Sequence, residues 1–346
     1  MNFQIRTDLA LETREIYQKA QNIEDEVPGV ETKVDDSDND FLFTEVNILS
    51  DEGASLLNKP IGNYITIESK YMNDEVESID KKIINKLAST IKDISHIVKK
   101  DSVLVVGLGN SDVTPDALGP KVVDNLSITR HLIEYAPELV NENTRAVSAI
   151  VPGVLGTTGI ETSDIVKGIV EKTKPDLVIA IDALAAKDMN RISRTIQISN
   201  TGITPGSGVK NNRVSLTRES LGVPVIAVGV PTVVGVPTIV NEAIEYVSEK
   251  IPDVKTSLEG ENYMQNILEN KDFDFMVTPN DIDDIISNIS RLVSEGINTA
   301  LHEWYHHYFF TFIIIVKENW KNNREFHHLS YCIKGWKSKI FSLLLF

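Results

Sequence analysis

Four runs of nearly unbroken apolar, β-branched residues occupy the middle of this chain: 103–108, 145–151, 177–181 and 223–228. A strand that alternates apolar and polar residues can leave one face in water, whereas a strand apolar throughout has to be covered on both. Stretches with helical periodicity separate the runs, and a connection long enough to hold a helix joins parallel neighbours. The pattern predicts an α/β fold, a three-layer sandwich on a mostly parallel central sheet. In such a fold the site lies at the C-terminal ends of the strands.

Outside this core the signals are shorter. FLFTEVNI (41–48) and NYITIES (63–69) alternate as strands do, separated by Gly53 and by the turn Lys59-Pro60-Ile61-Gly62. Helices are expected over about 80–98, 238–250 and 279–301. The first forty residues are polar, with Asp35, Asp36, Asp38 and Asp40 crowded together. They read as a solvated loop ahead of any core element, open to a protease. GVPT occurs at 229–232 and again at 235–238, too short an echo to be a structural repeat.

With 346 residues and 42% hydrophobic content the chain can bury a large core. Its formal net charge of −16 repels nucleic acid over most of the surface and favours a basic or neutral protein partner. A single cysteine, Cys332, permits no intrachain disulfide, and the N-terminus lacks the apolar run of a signal peptide, so the expected compartment is the cytoplasm. The apolar run Phe312–Val316 falls far short of the roughly 20 residues a membrane helix needs, so no span is expected. All three tryptophans, the cysteine and five of the seven histidines fall at or after position 302. Residues 303–346 therefore read as an atypical tail, a separate module or sequence never selected to belong to the fold.

Two constellations invite a chemical reading. In VLVVGLGNSDVTPDALGP (103–120) a buried strand enters a glycine turn and then heads for a helix. A dinucleotide fingerprint would need glycine where Asp112 stands, and there is no Walker lysine, so a nucleotide-binding oxidoreductase is the weaker reading. Asp116, after Thr114-Pro115, and Asp182, after the strand 177–181, would both lie on the rim of the sheet. Two carboxylates that share one water divide the roles of acid and base, which suits peptide hydrolysis without a serine or cysteine nucleophile. Spacing alone equally allows Asp182 as a helix cap and Asp116 as a turn residue. The second constellation, His302-Glu303-Trp304-Tyr305-His306, satisfies H-E-x-x-H, the pattern of a zinc metallopeptidase. A histidine-rich window matches so short a pattern by accident, and these residues are not taken as catalytic.

Several ordered motifs break the tie. GLGNSDVTPDALGP (107–120), LVIAIDALAA (177–186), ITPGSGVKNNR (203–213) and VPVIAVGVPTVV (223–234), with IRTDLALE (5–12) near the start, resemble the spore germination protease family over about residues 1–302. The resemblance implies an endopeptidase that degrades small acid-soluble spore proteins when germination begins. It further implies a homotetramer in the spore and forespore cytoplasm, with a fold like the hydrogenase maturation peptidases. Its proposed catalytic aspartates fall on Asp116 and Asp182. It also implies a zymogen cut between Asp8 and Leu9, giving a propeptide 1–8, a peptidase domain 9–302 and the tail 303–346. The loop with Gly206, Gly208, Lys210 and Arg213 becomes a candidate wall of the substrate cleft. No histidine lies in any of the motifs, so no metal ligand is assigned. The expected mechanism needs no cofactor, although two carboxylates leave room for a divalent metal.

Overall fold

The computed structural model describes residues 7–140, 142, 144–205, 214–250 and 275–302. Its elements begin with α1 (Ala10–Gln21), β1 (Val30–Asp35), β2 (Leu42–Ile48), α2 (Asp51–Leu57), β3 (Gly62–Glu68), α3 (Glu77–Ser95) and β4 (Val103–Gly107). A 3₁₀ turn (Thr114–Asp116) leads to α4 (Leu118–Asp124), α5 (Arg130–Tyr135), β5 (Val147–Ile150), α6 (Leu155–Thr158), α7 (Thr162–Thr173), β6 (Leu177–Ala186) and β7 (Thr195–Ser199). Then come α8 (Arg218–Leu221), β8 (Val225–Gly235), α9 (Val236–Lys250), β9 (Met276–Val277) and a last helix, α10 (Ile282–Leu301).

One sheet runs in the order β1-β2-β3-β7-β8-β6-β4-β5, with β9 paired to the end of β8. The four apolar runs form its parallel core, β5-β4-β6-β8, as their composition predicts. The other half is antiparallel, because β7, β3, β2 and β1 are reached by connections that return the chain alongside itself. The sheet is therefore mixed. β7 and α2 are additions to the elements expected from the sequence; α2 starts where the Ser50 hydroxyl accepts the Gly53 N–H at 3.2 Å.

Alternation along β6 explains the three layers. Leu177, Ile179 and Ile181 face α3, α4 and α10, meeting Ile83, Leu87, Leu118, Val122, Ile289 and Leu292. Val178 and Ala180 face the other way, onto Val166 and Val170 of α7. Farther along that second face Ala10 of α1 and Leu57 of α2 cover Val46 and Tyr64. Each large side chain buried in this way contributes about 1.5–3 kcal/mol.

The first forty residues are not the solvated loop that their composition suggests. Leu9, Ala10, Leu11 and Glu12 are buried, α1 and β1 take up much of the described stretch, and the segment around Asp36–Asp40 is a polar turn between strands. Glu12 is fixed by the backbone N–H groups of Lys187 (2.6 Å) and Asp188 (2.9 Å) and by the Thr7 hydroxyl. Arg191 joins Glu15 and Glu68 at 2.7 and 2.8 Å, which ties α1 to β3 and to the β6–β7 connection. Overall polarity hid a helix whose fully buried residues, Ala10, Leu11 and Glu12, sit at one end.

At the far end of the fold, Arg145 donates to the carbonyls of Leu301, Val98 and Asp101, and His302 Nε2 donates to the Ser127 carbonyl at 3.2 Å. Burial pushes the His302 pKa down to about 4; the Ser127 bond opposes this and the Arg145 charge adds to it. The unfolded chain therefore takes up a proton near pH 6.5 that the folded chain refuses until about pH 4. This contribution is complete above about pH 6.5 and declines as pH falls, by up to about 1.4 kcal/mol per pH unit. Denaturant midpoints measured from pH 7 to pH 4 should fall in the parent and fall less in His302→Gln. Equal slopes for the two proteins would show that His302 is not buried neutral.

Candidate active site

The site opens where β4 stops. β4 pairs with β6 only as far as Gly107 opposite Ile181, and β6 continues to Ala186. Asp182 is the first residue beyond that limit. It is 5% exposed, and its Oδ1 accepts the Ala183 N–H at 3.0 Å. The structure thus places Asp182 inside a strand, not at a helix cap.

Asp116 reaches the same rim from the connection after β4. It ends the 3₁₀ turn, is half-buried, and its Oδ2 accepts the Asn110 N–H at 2.8 Å while its own N–H donates to Val113. Gly109 makes this loop possible: its φ is +111°, and a Cβ there would lie 1.9 Å from the Asp116 carbonyl oxygen. The turn packs on β6 and β8. It is pinned by Thr232, the extra residue in a bulge where Pro231 pairs with Leu184 and Val233 with Ala185; the Thr232 hydroxyl donates to the Pro115 carbonyl at 2.7 Å. Bulges recur beside active sites because they re-aim a side chain in this way.

The glycine turn has the opposite polarity from a phosphate cradle. Its Asn110 amide, which would face a pyrophosphate, is spent on a carboxylate, so the nucleotide reading fails on geometry. The zinc reading loses its first ligand. His302 has left the helix (φ −120°, ψ 108°), and its ring is buried against Ser127, whereas H-E-x-x-H needs both histidines on one helical face. Glu303 and His306 lie outside the described residues, as do Gly206, Gly208, Lys210 and Arg213 of the candidate cleft wall. Among the described residues no group of three or more His, Cys, Asp or Glu is placed to hold a metal ion.

Asp8 and Leu9, the expected processing site, lie close to the same strand. Asp8 N–H donates to the Ala185 carbonyl at 2.9 Å, and Asp8 Oδ2 accepts the Ala185 N–H at 2.8 Å. The Asp8 carbonyl accepts from Lys59 Nζ at 2.9 Å and from Gln197 Nε2 at 3.2 Å, and Gln197 Oε1 takes the Ala10 N–H at 2.7 Å. Leu9 is fully buried with Leu184 and Ala186, so the Asp8–Leu9 bond has to leave this position before another molecule can cut it. Burial lowers the pKa of Lys59, while Asp8 and Glu12 oppose the shift.

Gln197 and Asp182 share a face. Asp182 is in register with Gly229 of β8, and Gly229 with Gln197 of β7, which puts Gln197 about 10 Å from Asp182 at the usual strand spacing. Gly229 lies between them, and a Cβ there would come within 2.4 Å of the Leu184 side chain and force it to move. Reasoning from sequence missed Lys59, Gln197 and Thr232. Lys59 looked like a turn residue, β7 carried no distinct signal, and Thr232 gave no hint of a bulge.

Comparison with known proteins agrees with the motifs. The sequence model described as "Germination protease" matches residues 10–257. The chain is 48% identical to the germination protease of Caldanaerobacter subterraneus subsp. tengcongensis over 311 residues, which cover 86% of this chain and 94% of that protein. It is 46% identical to that of Clostridium perfringens strain 13 (86% and 95% covered) and 39% identical to that of Bacillus pumilus (87% and 94%). Among solved structures, a [NiFe] hydrogenase maturation protease, HycI from Thermococcus kodakarensis KOD1, aligns with 61% of this chain and 98% of its own at 15% identity and a TM-score of 0.30, too low to carry an argument.

Because Gly109 is the residue that lets the loop close on Asp116, Gly109→Ala should displace that carboxylate. A shift of about 1 Å at a reacting group can cost about 100-fold. Turnover should fall by that order while far-ultraviolet circular dichroism is unchanged. Full activity in the folded variant would mean that Asp116 does not depend on this turn.

Proposed function

The chain belongs to the germination protease family, and on that premise we propose that it cuts small acid-soluble spore proteins with Asp116 and Asp182 acting together on one water. As a member of that family it is a peptidase, a hydrolase of peptide bonds that acts in spore germination. The observation that supports this mechanism is the nearness of two stretches of backbone at the strand ends: the turn after β4 that ends in Asp116 packs against β6, which carries Asp182 just beyond the end of β4. One ionised carboxylate draws a proton from the water as it attacks the peptide carbonyl; the other, protonated, gives its proton to the leaving amine. This division of labour uses no cofactor. The homotetramer and the spore cytoplasm belong to the same proposal, and the net charge of −16 favours a basic or neutral protein as substrate. Among the described residues no helix is long and apolar enough to cross a membrane.

Asp116→Asn and Asp182→Asn should each slow cleavage of a purified acid-soluble spore protein by about 100- to 10,000-fold. Asparagine keeps the size of aspartate but can neither take the proton nor supply it. The double variant should be little slower than either single one, because groups that act as a unit are not additive. Near-normal turnover in either folded single variant removes that residue from the chemistry, and activity that disappears with a chelator and returns with a divalent ion replaces the metal-free scheme.

The zymogen reading places the maturing cut between Asp8 and Leu9. N-terminal sequencing of the active form should begin at Leu9. An active protein that still begins at Met1 would overturn this.

A further inference from the structure

The turn that ends in Asp116 is held from outside its own loop at two points. Its Pro115–Asp116 peptide unit has both polar groups engaged: the Asp116 N–H donates to the Val113 carbonyl at 2.8 Å, and the Pro115 carbonyl accepts the Thr232 hydroxyl at 2.7 Å. With that plane fixed, little besides the side-chain torsions of Asp116 can move its carboxylate, and the Asn110 N–H restrains those. Thr232 is buried and is the extra residue of the β8 bulge, so it is left out of the register with β6. Its carbonyl is taken instead by the Thr278 hydroxyl, just past β9, at 2.8 Å. Five residues farther on, Asp283 in the first turn of α10 accepts the Thr114 hydroxyl at 2.9 Å.

These three bonds close a ring. It runs from Pro115 to Thr232, on to Thr278, along the β9–α10 link to Asp283, and back through Thr114 to Pro115. A turn held at one point can pivot; a turn held at two points by different elements cannot. Both ends of the link are anchored. β9 pairs with Val234 and Gly235, and the Phe275 carbonyl accepts the Val236 N–H at 2.9 Å, while α10 buries Ile282, Ile285 and Ile286 in the core. Valine has nearly the shape of threonine, so what Thr232 and Thr278 add beyond packing is the hydroxyl.

We propose that Thr232, Thr278 and Asp283 act as one positioning unit for Asp116, so that the link from β9 to α10, more than 160 residues along the chain from Asp116, belongs to the catalytic apparatus. None of the three touches the reacting atoms; each acts through the Thr114–Asp116 turn. Burial ranks them. Thr232 is buried, Thr278 is half-buried and Asp283 is exposed, where water competes for the bond. The proposal rests on the reading of Asp116 as a catalytic carboxylate.

The test measures kcat and KM of the active protein on a purified acid-soluble spore protein. Thr232→Val should lower kcat by about 10- to 100-fold and leave KM within about threefold, the mark of a misplaced reacting group, and Thr232→Ser should restore most of the rate. Thr278→Val should cost about 3- to 10-fold and Asp283→Ala less, and Thr278→Val should add little to Thr232→Val, because members of one unit are not additive. In an Asp116→Asn background Thr232→Val should cost nothing further; equal losses in both backgrounds would mark a general structural defect and overturn the proposal. Crystal structures of the two valine variants should show the Asp116 carboxylate moved off the Asn110 N–H, and an unmoved carboxylate in both overturns it as well. A displaced carboxylate with undiminished turnover upholds the positioning unit and sinks the role of Asp116 in the chemistry. If Thr232→Val does not fold, Thr278→Val carries the same comparisons from a less buried position.

Discussion

Everything in this molecule is arranged around β6, a strand buried on both faces and paired with β4 on one side and β8 on the other. A buried strand has to satisfy every backbone group, and β6 outruns β4, so beyond Ile181 it needs partners other than a sheet neighbour. It finds one in Asp8, which takes both polar groups of Ala185. The unequal lengths of two adjacent strands thus create the opening that holds Asp182 and also dictate that something extended must lie next to it. The candidate carboxylate Asp182 and the Asp8 segment thus lie along the same stretch of β6 that β4 leaves unpaired.

The second aspartate depends on how the chain leaves β4. Asn110 holds its carboxylate, Gly109 lets the loop pass, and Thr232 in the β8 bulge fastens the preceding residue. The first two contacts lie within the loop after β4 and the third reaches across the sheet to β8, so the loop that carries Asp116 is fastened both to itself and to the sheet. That matters for acid and base catalysis, in which proton transfer requires both groups at hydrogen-bonding distance from the same water.

The antiparallel half of the sheet is more than scaffolding. Gln197 of β7 lies in register with Gly229 and through it with Asp182, so a residue from the antiparallel half shares the face of the site. Helix α1 covers that face and carries the N-terminal segment with it, anchored by the buried Glu12. The N-terminal segment and the candidate carboxylate Asp182 are therefore joined through one sheet.

By itself the sequence determined the parallel core. Unbroken β-branched runs can be buried only between two layers, and this held for β4, β6 and β8, whereas β5 is an edge strand that fully buries only Val147. It also pointed to Asp116 and Asp182 as candidates through the local motifs around them, although it ended at Ile181 a strand that runs on through Asp182 to Ala186. What the tertiary structure alone decided is which distant groups meet. Lys59 and Gln197 are 138 positions apart and carry no shared pattern, yet both donate to the Asp8 carbonyl. The burial of Leu9 to Glu12 escaped detection for the same reason, since their partners at Ala185 to Asp188 arrive from far along the chain. Local periodicity reports which face of an element is apolar; only the register between strands, a long-range quantity, reports what that face will touch.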